Sequence, residues 1–105
     1  MLNSIIKNNL TEITRLLNLY KVKRAYAFGS VCTDKFNEQS DVDLLIAFEE
    51  GLDPIEYGDN YFFLVDALEK LFKRHVDLVT EPTLRNPYFI KSVNKTKTAI
   101  LWTTT

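Results

Sequence analysis

Apolar residues recur along this chain in two rhythms. Ile6, Leu10, Ile13, Leu17 and Tyr20 alternate spacings of four and three, the repeat of one helix face, and predict a helix over about Asn3 to Tyr20 with a core-packing stripe. Asn8-Asn9 weakens it locally, and Lys21 to Arg24 ends it with positive charge, as the helix dipole favours. Arg24 to Phe28 then predicts a strand. Val42 to Phe48 is apolar on both parities, the mark of a strand covered on both faces. The helical rhythm returns at Tyr61, Leu64, Val65, Leu68, Leu71 and Phe72, broadened by Phe62 and Phe63 and closed by Lys70, Lys73 and Arg74. Upstream, Asp53-Pro54-Ile55-Glu56 reads as a capping box, but Gly58 interrupts it, so the main helix is placed from Asp59. Val76 to Thr80 predicts a strand and Glu81-Pro82-Thr83 a turn. Asn86-Pro87 reads as cap and first residue of a short helix through about Val93, and Thr98 to Trp102 as a final strand. The expected class is α/β (α+β), a mixed sheet with two main helices packed on it.

The polar residues that interrupt this pattern carry the chemistry. Asp41 and Asp43 open an apolar strand, and residues i and i+2 of a strand share a face. Two ionised carboxylates about 5 Å apart repel by roughly 3 kcal/mol at an effective dielectric near 20, so the pair asks for a cation. Magnesium suits it, since it takes one or two protein carboxylates and fills its other sites with water and phosphate oxygens. Gly29-Ser30 ends the apolar segment Ala25 to Phe28. Glycine lets a ligand approach the backbone, and Ser30, if it caps a short helix, would add a hydroxyl and a partial positive charge for phosphate. Asp77 is the one carboxylate in an apolar strand, and its burial unpaired would cost several kcal/mol, so a metal, a cation or solvent must accompany it.

Other chemically suggestive residues have plainer readings. Asp34 and Glu38 lie in a polar loop and are read as solvated. Cys32 is read as a small buried residue, His75 as a solvated linker, and the aromatic pair Phe62 and Phe63 as core rather than as a base-stacking platform. Arg85, Lys91, Lys95 and Lys97 form a basic region whose default is a solvated face, with phosphates or an acidic partner as the functional alternative.

Length and charge narrow the class further. A chain of 105 residues is expected to be one domain, 1–105, able to bury a core without staples. A net charge of −1 offers no broad footprint for a long nucleic acid. One cysteine, no signal pattern and no bilayer-length apolar run lead to the expectation of a cytoplasmic protein that does not bind membrane.

Gly29-Ser30, ten further residues, then Asp41-Val42-Asp43, with a later Val76-Asp77-Leu78-Val79 strand, resembles the minimal nucleotidyltransferases of the polymerase-beta-like superfamily, over about Leu10 to Trp102. The resemblance implies that Gly29 and Ser30 hold a triphosphate, with ATP as the substrate. It implies that Asp41 and Asp43 ligate two Mg2+ ions, and that Asp77 completes the second metal site or takes the acceptor's proton. It further implies transfer of AMP to an acceptor hydroxyl, in an antitoxin whose partner is a HEPN-domain ribonuclease modified on a tyrosine. One departure stands out: where the family often carries an arginine this chain has Thr33, with Lys35 or Arg24 as candidate replacements. The rival reading is a binding module that keeps the fold and neutralises its partner by contact alone. Leu45 and Ala47 share the face of Asp41 and Asp43, and another chain is expected to cover them.

Overall fold

The computed structural model describes residues 3–102, so the expected 1–105 domain extends past them at both ends. Four strands, β1 (Val22–Phe28), β2 (Val42–Phe48), β3 (Val76–Thr80) and β4 (Thr98–Trp102), form one mixed sheet in the order β3-β2-β1-β4. β1 runs antiparallel to β2 and β4, whereas β2 and β3 are parallel. Parallel neighbours need a long crossover, which α3 (Pro54–Phe72) supplies.

The local chemistry explains where each helix starts and stops. The Asp53 carboxylate accepts from the amides of Ile55 and Glu56 at 2.9 and 3.0 Å, with Pro54 at the first turn, so α3 begins at Pro54 and not at Asp59. A cap worth about 1 kcal/mol offsets the similar cost of Gly58 inside the helix. Lys73, at φ 56°, ends α3 in the left-handed region. The first expected helix is broken where the two asparagines stand. α1 (Ser4–Lys7) is capped by Asn3, the Asn9 amide donates to the Ile5 carbonyl at 2.8 Å, and α2 (Leu10–Leu19) starts afresh. Asparagine side chains compete with the backbone in this way. Ile6, Ile13 and Leu17 are fully buried as the stripe requires, while Leu10 lies outside the core. β1 begins two residues earlier than expected, after a turn at Lys21, whose φ is 65°.

The two faces of the sheet are covered differently. One carries Ala25, Ala27, Leu44, Ile46, Val76 and Leu78 and packs against Ile13 and Leu17 of α2 and Leu64 and Leu68 of α3. Each large aliphatic side chain buried there contributes about 1.5–3 kcal/mol. Phe62 and Phe63 stand outside this core, 71% and 57% exposed on α3, which corrects their assignment to the buried stripe. The other face packs Phe28 and Leu45 against Val93 of α4 (Pro87–Thr96), bordered by Tyr26, Val79 and Leu84. Asn86 caps α4 by accepting from the amides of Tyr88 and Phe89 at 2.9 and 3.3 Å.

The expected second chain over Leu45 and Ala47 is not needed to bury them. They are already only 3% and 6% exposed. Part of the cover is α4, whose Val93 is buried against Leu45, and the ion pair of Arg24 with Glu81, at 2.6 and 2.8 Å, lies beside Ala47.

Candidate active site

Strand register assembles the site. In the parallel pair Asp43 lies opposite Asp77, so the two side chains leave the same face of neighbouring strands. In the antiparallel pair Phe28 lies opposite Asp43, which brings Gly29, the next residue, against the same carboxylate. Gly29 has φ +74°, and a Cβ there would stand 2.5 Å from Asp43 Oδ2. Only glycine meets both the dihedral and the space. Asp41 sits just before β2, exposed, and its charge reaches Asp43. Asp77 is exposed on the edge strand, so solvent access resolves the cost that burial would have imposed.

The half-buried Asp43 is the electrostatic centre. Burial, and then the neighbouring charges of Asp77 and Asp41, push its carboxyl up to about 6, with His75 opposing. Among the described residues, no group of three or more His, Cys, Asp and Glu side chains is arranged to hold a metal ion. The three aspartates are thus gathered at one end of the sheet without forming a closed cage. Magnesium does not require one: one or two carboxylates, water and substrate phosphates satisfy it. The donor set is all oxygen, and a divalent cation would offset both the burial and the neighbouring charges that raise Asp43, so the residues fit that ion.

The glycine-serine bend differs from expectation in its details. Gly29–Cys32 form one 3-10 turn, and Ser30 lies inside it rather than capping it. The Gly29 amide donates to Thr96 Oγ1 at 2.7 Å, so α4 pins the bend. Thr33, in the arginine's place, is a staple: its amide and its hydroxyl both donate to the Ser30 carbonyl at 2.9 Å. Arg24 does not replace the arginine, because its guanidinium is engaged with Glu81 and it pairs with Ala47 near the opposite end of β2. Lys35 is exposed on the following loop. His75 lies 3.1 Å from Glu69, whose carboxylate also accepts from the Val76 amide at the start of β3.

Two residues that the sequence did not single out for the site now belong to its frame. Thr96 lies 67 residues from its partner Gly29, and nothing in the local sequence signals that contact. Arg74 read only as a helix-end charge. Its guanidinium donates to the Asn37 and Ser40 carbonyls at 2.9 and 2.8 Å and lies 4.5 Å over the Phe36 ring, bracing the loop that leads into Asp41. Cys32 is buried, and Asp34 and Glu38 are exposed, as their plain readings required.

In-register carboxylates beside a glycine bend on a mixed sheet are the arrangement expected of a nucleotidyltransferase. The comparison with known proteins agrees: residues 10–100 match the nucleotidyltransferase domain, and the chain belongs to that family. The Methanocaldococcus jannaschii protein MJ1379, which bears the name protein adenylyltransferase, is 36% identical over 93 residues, spanning 88% of this chain and 91% of the relative. A solved structure of a minimal nucleotidyltransferase superposes with a TM-score of 0.72 at 31% identity, covering 93% of this chain and 95% of that one. A second likeness, in fold alone, is to a Shewanella oneidensis complex of a tri-AMPylated HEPN toxin with an MNT antitoxin. Its TM-score is 0.63 at 22% identity, over 92% of this chain and 72% of that one. Among the described residues no helix is long and apolar enough to cross a membrane.

Proposed function

We propose that this chain transfers AMP from ATP to a tyrosine hydroxyl of a HEPN-domain toxin, with Mg2+, acting in the cytoplasm as that toxin's antitoxin. The pairing of Asp43 with Asp77 beside Gly29 carries the reading. The adenylyltransferase name of a 36%-identical relative supports the transferred group, and the AMPylated toxin complex of similar fold supports the acceptor.

In this reading Asp41 and Asp43 hold the ions, Asp77 holds the acceptor-side ion or takes the proton, and Gly29 and Ser30 receive the β- and γ-phosphates. Bound magnesium supplies Lewis-acid polarisation of the phosphoryl oxygens and neutralises the departing pyrophosphate. The chain's own contribution is positioning. Gly29, lacking a Cβ, lets the bend close directly against the Asp43 carboxylate, and Ser30 offers a hydroxyl from the same turn. Asp77, on an exposed edge strand, is within reach of a hydroxyl brought by another protein. As the acceptor oxygen bonds to the α-phosphorus, the bond to the β-phosphate bridging oxygen breaks, and the hydroxyl proton passes to the base.

The test is incubation with Mg2+, α-labelled ATP and a purified HEPN partner. Label on a partner tyrosine, abolished by Asp43→Ala, is the expected result. Thr33 favours the second reading, neutralisation by contact alone, because it staples the turn where the family often has an arginine. A tight complex that never acquires label would establish that reading.

A further inference from the structure

The ring of Phe89 on α4 meets that of Phe28 edge to face, with centroids 6.0 Å apart and planes at 80°. Phe28 is the cross-strand neighbour of Asp43 and is buried, whereas Phe89 remains 39% exposed. One strand pairing and one ring contact therefore separate Phe89 from the Asp43 carboxylate. Both contacts lie on the face of the sheet that carries Asp43 and Asp77, so the Phe89 ring stands on the same face as the candidate site.

We infer that Phe89, backed by Phe28, is the ledge on which the nucleobase of the donor nucleotide stacks. The inference rests on the nucleotide-transfer reading and names the part of the donor that this surface holds. Three observations favour a base over the acceptor's aromatic ring. First, Phe89 packs on β1, the strand that leads into the Gly29 bend, so it stands on the phosphate side of the site. Second, an acceptor from another protein has its open approach at the opposite side, along edge strand β3 with the exposed Asp77. Third, α4 is held rigidly to the bend by the Thr96 hydroxyl and to the sheet by Val93, so a ring on that helix keeps a fixed position relative to the phosphates. A preorganised aromatic face of this kind takes any base, and favours the larger purine stack. Phe62 and Phe63, the aromatic pair prominent in the sequence, lie on α3, which packs on the other face of the sheet.

The experiment compares binding of ATP and of tripolyphosphate, which has the phosphates and no base, to the full chain with Mg2+. Phe89→Leu keeps an apolar group against Phe28 and removes the π face, and Phe89→Trp restores a π face. Base stacking predicts about a 10-fold weaker Kd for ATP in Phe89→Leu. It also predicts an unchanged Kd for tripolyphosphate, an unchanged Tm, and wild-type ATP affinity in Phe89→Trp. Wild-type ATP affinity in Phe89→Leu, or equal loss of both ligands, overturns the ledge while leaving the phosphate site standing. Failure of the wild-type chain to bind either ligand overturns the nucleotide site and the ledge together.

Discussion

The two faces of the sheet solve opposite problems. The face under α2 and α3 is apolar apart from the buried Thr80 at one end of β3, and its task is to hold the strands in register. The face under α4 carries a smaller apolar cluster and, at one end of the sheet, carboxylates that repel one another. The first face stores the stability that the second spends. Register is the quantity they share: a one-residue slip of β2 would turn Asp43 into the core and Leu44 onto the site.

That division predicts separable effects. The largest is Asp43→Ala, expected to lower adenylyl transfer about 10³-fold or more, while the protein stays folded; measured transfer within 10-fold of wild type would remove Asp43 from the mechanism. Leu44→Ala, one residue away on the other face, should do the reverse. It should cost about 2–5 kcal/mol of stability in urea unfolding and leave the kcat of the folded fraction unchanged. Gly29→Ala falls on the boundary. It forces a side chain into a φ of +74° and against the Asp43 carboxylate, and should cost about 1–3 kcal/mol together with activity. If Gly29→Ala keeps full stability and rate, the close approach is not structural.

Smaller effects sharpen the comparison. Thr96→Val removes the acceptor for the Gly29 amide and should destabilise by about 1 kcal/mol, with faster hydrogen exchange at Gly29; Thr96→Ser should restore both. The smallest effect is that of pH on the metal-free protein. The Asp43 carboxyl, at about 6 in the folded chain against an ordinary 3.8, holds its proton more tightly folded than unfolded. Its contribution is therefore most favourable below pH 4 and is lost as pH rises from about 4 to 6. After allowance for solvent screening the loss is on the order of 1 kcal/mol. Asp43→Asn should flatten that part of the stability profile, and Mg2+ should reverse the loss if it binds there. A profile unchanged by Asp43→Asn would place the burden elsewhere.

Periodicity alone determined most of this architecture. Strands β2, β3 and β4 and the packing stripe of α3 follow from residues within a few positions of one another, because hydrophobic patterning and capping are local. So do the candidate aspartates, since two carboxylates opening an apolar strand are conspicuous in one dimension. Where local rules competed, the outcome needed the fold: Asp53 and Pro54 overrode Gly58, and Asn8-Asn9 split a helix that the apolar repeat would have joined. Only the tertiary structure decided what stands next to what. The register set Asp77 opposite Asp43, and α4 covered Leu45 and turned Thr96 toward Gly29. The fold also paired Arg24 with Glu81, at a distance from the arginine's expected role. These contacts join residues far apart in the chain, and their energies depend on distance and burial that no local pattern encodes.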